Sequence, residues 1–190
     1  MVLFSNFEVM SSLEKYRPHY TYTDYLNWDG RWELIEGFPY AMSPSPSIRH
    51  QMIVPAFHQS FKNAIKKTGC TKCKVLDYTD WKIAEDTVLQ PDVLVVCQPF
   101  TNRNYLDFPP EIIVEVLSPS TAQKDRLEKF EIYRQQGVKY YIIVDPVFNK
   151  IEIFQHSNGV YEAVSVTPHN YTFDIGGCTI NADFSEVFDE

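Results

Sequence analysis

Residues 111–146, EIIVEVLSPSTAQKDRLEKFEIYRQQGVKYYIIVDP, determine the fold that we predict for this chain. The apolar runs at 112–117 and 140–144 indicate strands buried on both faces, because nearly every position is hydrophobic. A helix is predicted between them, over residues 122–136, and Gly137 is expected to end it. Strand, helix and strand in this order form a crossover unit with parallel strands. The segment therefore predicts an α/β protein with a central sheet flanked by helices.

Other segments flank this crossover unit. A β-hairpin is predicted at residues 32–42, around a tight Glu-Gly turn. Ser47 is predicted to cap a long helix that ends at Gly69. Pro55 should kink or split that helix, because proline lacks the N–H donor. Further strands are predicted at residues 73–76, 81–84, within 88–96, at 150–154 and at 160–166. The last two are predicted to form an antiparallel pair, so the sheet is expected to be mixed.

Length and composition fit a single globular domain over residues 1–190. With 44% hydrophobic residues the chain can bury a core, and no apolar run reaches the roughly 20 residues of a membrane span. Residues 1–17 are predicted to be a loose arm and lack the features of a signal peptide, so we predict a cytoplasmic location. The net charge of -8 argues against a broad basic surface that grips duplex DNA. Any contact with nucleic acid would depend on local lysines, arginines and metal ions.

The four cysteines are Cys70, Cys73, Cys97 and Cys178. In a chain of this size they do not indicate a disulfide framework, and a reducing compartment fits free thiols. Cys70 and Cys73 have the spacing of half a zinc site. No second Cys-x-x-Cys and no nearby histidine pair in the sequence completes that site. We therefore expect neither disulfides nor bound zinc.

Glu115 is the unusual residue of the first predicted strand, a carboxylate among aliphatic neighbours. Burial of an unpaired carboxylate is costly, so a proton, a partner or a metal must neutralise its charge. Asp92 follows a proline at the start of another apolar run. If the two strands pair, both carboxylates reach one point at the sheet edge. With the backbone carbonyl of Val116 they form a hard oxygen ligand set that suits Mg²⁺, or Mn²⁺.

The predicted helix offers two lysines. At about 100° per residue, Lys129 falls at the margin of the apolar face and can lean towards Glu115, whereas Lys124 points away into solvent. Asp125 lies one turn before Lys129 and can form an i,i+4 pair with it. The apolar face itself comprises Ala122, Leu127, Phe130 and Tyr133.

Several short motifs occur together along the chain. They are Pro91-Asp92, Val114-Glu115-Val116-Leu117-Ser118-Pro119-Ser120, Asp125, Glu128-Lys129, Tyr133, Gly137-Val138, Val144-Asp145, Trp32-Glu33-Leu34-Ile35-Glu36-Gly37, Met42-Ser43-Pro44-Ser45-Pro46 and His50-Gln51. This combination resembles the Uma-two family of restriction-endonuclease-like proteins, within the PD-(D/E)XK nuclease superfamily. The resemblance covers roughly residues 20–154.

The resemblance implies a restriction-endonuclease-like fold and an Mg²⁺-dependent, endodeoxyribonuclease-like hydrolase. The superfamily carries Glu-x-Lys on its second strand, but here the third position is Leu117. The family pattern implies that the lysine has moved to the following helix, at Lys129. It also implies Glu33 as the acidic residue of a first motif, with Glu36 as second choice. Gln51 or His50 would line the site.

The implied mechanism is metal-dependent hydrolysis of nucleic-acid phosphodiester bonds. Mg²⁺ held by Asp92 and Glu115 would activate a water molecule and neutralise charge on the phosphate. Lys129 would orient that water or stabilise the transition state electrostatically. The expected partner is nucleic acid, with DNA favoured, and a homodimer fits an enzyme that cuts both strands.

Each candidate residue also has a structural interpretation. Asp92 can serve a turn, Glu115 can form a buried ion pair with Lys129 alone, and Glu33 can face solvent on a strand. His50 on a helix is more often structural than catalytic. Two other functions therefore stay open. One is an inactive nuclease-fold protein that binds nucleic acid or a protein, and the other is an assembly protein.

Overall fold

The structure is a computed structural model that describes residues 18–42, 46–100 and 104–189. The predicted arm at residues 1–17 lies outside the described part. The chain divides into two compact units, Met1–Met42 with Lys82–Leu89, and Ser43–Trp81 with Gln90–Glu190. One domain over residues 1–190 stays a prediction. Among the described helices, none combines the length and the apolar character that a membrane crossing requires.

The first unit contains the predicted hairpin, which is confirmed. Ile35 pairs with Phe38 across a two-residue turn, and both turn residues, Glu36 and Gly37, have positive φ angles of 49° and 79°. Two central residues with positive φ are typical of the type I′ turn, whose twist matches that of the flanking strands. The unit contains α1 (Tyr22–Tyr25), β1 (Trp32–Ile35), β2 (Phe38–Ala41) and β5 (Thr87–Leu89). Strand β4 (Asp80–Ala84) is shared, and its residues from Lys82 onward belong to this unit.

The second unit holds the central sheet and the long helix. Its first elements are α2 (Ile48–Thr68), β3 (Lys74–Asp77), the start of β4, β6 (Val93–Val96), β7 (Tyr105–Leu106) and β8 (Ile112–Val116). A mixed helix follows, made of α3 (Ala122–Lys124), π1 (Asp125–Lys129) and α4 (Phe130–Gln135). The last strands are β9 (Tyr140–Asp145), β10 (Lys150–Ser157), β11 (Val160–Val166), β12 (Asn170–Ile175) and β13 (Cys178–Asp183).

The central sheet has six strands in the order β11-β10-β9-β8-β6-β3. Strands β8 and β9 pair in parallel across the predicted crossover, and the other neighbours pair antiparallel. The mixed α/β architecture is therefore confirmed. Strand β6 begins only after Pro91, because proline cannot donate a ladder hydrogen bond.

Helix α2 covers one face of this sheet. Ser47 caps it by accepting a hydrogen bond from the backbone N–H of His50, and Gly69 ends it in the left-handed conformation. The helix is not split at Pro55. Its buried side chains form one core with alternate residues of the sheet: Ile53, Val54, Phe57, Phe61, Val93, Val95, Ile112, Val114, Val116, Ile142 and Val144. The hairpin of β12 and β13 joins this core through Phe173 and Ile180.

The helix after β8 differs from the prediction, because π1 interrupts it. A π turn forms i→i+5 hydrogen bonds and holds more residues than an α turn, so it shifts the helix face that meets the sheet. Leu127, predicted on the apolar face, is 60% exposed. Asp125, Lys129 and Tyr133, which follow one another at four-residue intervals, are buried instead. Polar side chains therefore face the sheet at this point.

The cysteine expectation is wrong, because all four cysteines form disulfides. Cys70 is bonded to Cys178 and Cys73 to Cys97. The register of β3 and β6 pairs Lys74 with Val96, so the next residues outward, Cys73 and Cys97, come opposite each other. Cys178 is brought to Cys70 by the packing of a hairpin that lies far along the chain. The sequence spacing alone does not encode either approach.

Removal of the Cys70–Cys178 disulfide is expected to lower the free energy of unfolding by about 2–4 kcal/mol. This bond spans 108 residues whereas the Cys73–Cys97 bond spans 24, and the stabilisation grows with the length of the closed loop. Urea unfolding without reductant and with a chelator should therefore show a larger loss for Cys70→Ala/Cys178→Ala than for Cys73→Ala/Cys97→Ala. An equal or reversed order would contradict this account.

Candidate active site

The pairing of β6 with β8 brings the two predicted carboxylates together. Val93 pairs with Val114, so Asp92, which directly precedes β6, comes close to the end of β8, where the backbone N–H of Val116 donates to its carboxylate. Val114 and Val116 belong to the core beneath α2. Glu115, which lies between them on β8, therefore belongs to the alternate set of positions. Asp92 and Glu115 are almost completely buried, at 4% and 3% exposure.

Asp92 is held through one of its two carboxylate oxygens. Its Oδ2 accepts a hydrogen bond from the backbone N–H of Val116 at 2.8 Å and lies 3.1 Å from Nε2 of His50. Its Oδ1 has no hydrogen-bond partner among residues 18–42, 46–100 and 104–189. A carboxylate oxygen without a protein partner is suited to bind a water molecule or a cation.

Glu115 contacts two side chains of the mixed helix. Its Oε1 accepts hydrogen bonds from Lys129 Nζ at 2.8 Å and from the Tyr133 hydroxyl at 2.7 Å. Lys129 Nζ also lies 3.3 Å from Asp125 Oδ1, so both contacts predicted for this lysine are present. Asp92, Glu115 and Asp125 thus bring three carboxylates into the surroundings of Lys129, and carboxylate oxygens are the ligands that hard cations prefer.

Three aromatic rings support this charged cluster. The Tyr133 ring stacks on Trp81 at 5.9 Å and meets Tyr141 edge-on at 5.0 Å. Burial, and then the charges of Glu115 and Asp125, raise the pKa of the Tyr141 hydroxyl well above its ordinary value. Tyr141 therefore stays protonated and donates to the backbone carbonyl of Asp125 at 2.9 Å. The π turn is thereby held against the sheet, with Lys129 aimed at Glu115.

Comparison with known proteins identifies the family of this chain. A family model described as "Uma2: Putative restriction endonuclease" matches residues 19–175. The chain belongs to the Uma2 family. The matched residues include all six strands of the central sheet and end with β12, the first strand of the separate hairpin.

Two further proteins are similar to this Uma2 protein, one in sequence and one in structure. An "Uncharacterized protein slr1290" of Synechocystis sp. is 29% identical over 151 residues, which cover 74% of this chain and 76% of the relative. A crystal structure described as "a putative nuclease belonging to DUF820" from Anabaena variabilis superposes with a TM-score of 0.64 at 17% identity. That match covers 80% of this chain and 87% of the other. The predicted restriction-endonuclease-like fold class is therefore confirmed.

The other predicted site residues of this Uma2 protein have different surroundings. Glu33, on β1 of the first unit, is fully buried, which excludes the solvent-facing interpretation. Glu36 is exposed at the hairpin turn. Gln51 is exposed and donates to the Pro46 carbonyl, so of the two residues predicted to line the site from α2, it is His50 that contacts Asp92.

Sequence reasoning missed one contact of the site. Tyr133 was expected only as an apolar helix residue, yet its hydroxyl binds Glu115. Its spacing of four residues from Lys129 was the available signal, since residues at i and i+4 lie on one helix face. His50 was expected from the family resemblance to line the site, but its partner Asp92, 42 residues away, was not specified.

Proposed function

We propose that this Uma2 protein is a metal-dependent endonuclease that hydrolyses phosphodiester bonds of nucleic acid, with DNA as its substrate. The observation that carries the proposal is the approach of two side chains to β8: Asp92 accepts a hydrogen bond from the N–H of Val116 at 2.8 Å, and Lys129 Nζ lies 2.8 Å from Glu115. An acidic pair on adjacent strands beside one lysine is a suitable constellation for phosphoryl chemistry. The family description, restriction endonuclease, supports the same reaction class.

The residues present fit Mg²⁺ or Mn²⁺. Asp92 and Glu115 supply hard carboxylate oxygens, and Asp92 Oδ1 is not engaged by any described protein group. The peptide of Val116 lies beside Asp92, since its N–H donates to that carboxylate, and its carbonyl is the proposed third protein ligand. When bound, a divalent ion supplies Lewis-acid catalysis and lowers the pKa of its bound water.

The chain's own groups have separate roles in this proposal. Lys129 places its ammonium beside Glu115, where it can orient a water molecule and stabilise negative charge on the phosphate. Tyr133 and His50 are positioning residues, because they hold Glu115 and Asp92 respectively. Glu33 is the proposed acidic residue of the first motif and is buried as such a residue would be. Burial lowers the local dielectric and strengthens each of these interactions.

A second candidate function has one observation in its favour. Lys129 is 1% exposed and Glu115 is 3% exposed, and Oε1 of Glu115 already accepts two hydrogen bonds. A carboxylate satisfied in this way can be purely structural. The corresponding alternative is a catalytically inactive nuclease-fold protein that acts as a nucleic-acid or protein binding module.

Metal removal distinguishes the two functions. The full chain, treated with a chelator and dialysed, is incubated with supercoiled plasmid, single-stranded DNA and single-stranded RNA. We expect nicking or cleavage of the plasmid only after Mg²⁺ or Mn²⁺ is restored, and the three substrates report the preferred nucleic acid. Cleavage that persists in the chelator would contradict the metal role. Binding without cleavage of any substrate would favour the inactive alternative.

A homodimer and a cytoplasmic location stay predictions for this protein. The homodimer would suit an enzyme that cuts both strands of a duplex, since two-fold symmetry matches two equivalent scissile bonds. Sedimentation of the purified chain, with and without duplex DNA, measures this directly. A monomer in both samples would contradict the dimer while leaving the cleavage proposal intact.

A further inference from the structure

The sulfur atoms of three cysteines lie close together in the second unit, and the fourth is bonded to one of them. Sγ of Cys70 lies 3.5 Å from Sγ of Cys73, and the sulfurs of Cys70, Cys73 and Cys178 all lie within 4.8 Å of one another. Cys97 joins them through its bond to Cys73. Cys70, Cys73 and Cys97 are each less than 10% exposed, and Cys178 is half-buried. We refer to these four residues as the sulfur cluster.

Three separate parts of the fold build the sulfur cluster. Cys70 and Cys73 follow the Gly69 cap of α2 with two residues between them. Cys97 directly follows β6, at the position opposite Cys73. Cys178 begins β13. The Cys-x-x-Cys half of a zinc site is therefore completed by two single cysteines that the tertiary structure supplies.

The turn before Cys178 is shaped around the sulfur cluster. Gly176 has a φ of +53°, and a Cβ on it would lie 2.4 Å from Cβ of Cys97 and 3.2 Å from Sγ of Cys73. Only glycine permits this approach without displacing the sulfurs. The hairpin of β12 and β13 is thus packed directly onto the side chains of Cys73 and Cys97.

We propose that the sulfur cluster, once its disulfides are reduced, is a tetrahedral Zn²⁺ site with four thiolate ligands. Four sulfurs at about 2.3 Å from one zinc ion lie about 3.8 Å apart, close to the 3.5 Å between the sulfurs of Cys70 and Cys73. Soft thiolates select zinc, whereas the carboxylates of Asp92 and Glu115 select Mg²⁺, so the two sites take different metals.

The chemistry of the exchange balances with a dithiol as reductant. Each protein disulfide accepts two electrons and two protons from one dithiol, which is itself oxidised to a disulfide. The four thiols then bind one Zn²⁺ and release four protons. In either state the cluster links α2, β6 and the hairpin of β12 and β13. Zinc thereby replaces the two disulfides as the cross-link of the reduced chain.

Cobalt reports this site because its tetrahedral thiolate complex absorbs strongly in visible light. The full chain is reduced, freed of metal with a chelator, and titrated with Co²⁺ and then Zn²⁺. We expect one equivalent of Co²⁺ to give the thiolate spectrum, and one equivalent of Zn²⁺ to abolish it. The same chain reoxidised to its disulfides is expected to give no such spectrum. Absence of the spectrum from the reduced chain would overturn the proposal.

Variants and alkylation locate the ligands. Cys97→Ser and Cys178→Ser should each weaken Zn²⁺ binding at least about 10-fold, whereas Asp92→Ala should leave the cobalt spectrum unchanged. If the serine variants do not fold, the reduced wild-type chain is treated with iodoacetamide with and without Zn²⁺. Mass spectrometry should show all four cysteines protected by zinc. Protection of fewer than four, or a spectrum that depends on Asp92, would overturn the four-cysteine site.

Discussion

Glu115→Gln and Asp92→Asn are each expected to lower metal-dependent cleavage about 1000-fold, because loss of a metal ligand removes several kcal/mol of transition-state stabilisation. Both substitutions keep the size of the side chain and delete its charge. The carboxylate of Asp92 has one oxygen without a described partner, so its replacement should affect the metal more than the fold. Cleavage rates on plasmid at saturating Mg²⁺, with metal affinity from calorimetry, measure the effect.

Glu152→Gln is the matched control for Glu115→Gln. Glu152 lies in the same row of the central sheet, because both residues pair with Ile143 from either side of β9. It also contacts cationic groups, Arg126 at 2.6 Å and Lys150 at 3.0 Å, but it lies outside the proposed metal site. Its substitution should leave cleavage unchanged. Equal losses from both variants, or no loss from Glu115→Gln, would refute the role of Glu115.

Lys129→Met is expected to lower the free energy of unfolding by about 3–5 kcal/mol, as does removal of one partner from other buried ion pairs. Lys129 is 1% exposed and its Nζ contacts both Glu115 and Asp125. Methionine fills a similar volume but leaves these carboxylates buried without the cation. Urea unfolding at neutral pH measures the loss, and it tests the buried ion pair whether or not the protein cleaves nucleic acid.

Two further variants separate charge burial from other effects of the methionine. Arg126→Met removes a neighbouring cation of the π turn. The Arg126 side chain pairs with Glu152 but is 37% exposed, so the free energy of unfolding is expected to fall by less than about 1 kcal/mol. The double variant Lys129→Met/Glu115→Gln should be more stable than the sum of the single losses predicts, because the buried carboxylate that lost its cation is also removed. If the double variant is as unstable as the sum of the single variants, the Lys129–Glu115 interaction does not account for the loss.

Local sequence patterns predicted much of the central sheet and of the candidate site. The apolar runs around Glu115 and the helix that follows them are encoded within residues 111–146, and the parallel pairing of β8 with β9 follows from that order. Asp92 was predicted to approach Glu115 on the condition that their two strands pair, and β6 does pair with β8. The face of the helix was predicted only in part. The π turn, which buries Asp125 and exposes Leu127, has no periodic signature.

By itself, the sequence determined the α/β class, the hairpin with its turn at Glu36 and Gly37, and the two buried carboxylates carried at the start of β6 and on β8. Periodicity and turn chemistry act over a few residues, so they can be recognised without coordinates. Only the tertiary structure decided that His50 contacts Asp92 and that the four cysteines form two adjacent bonded pairs. Those contacts join residues 24 to 108 positions apart, and packing of whole elements, rather than local propensity, brings them together.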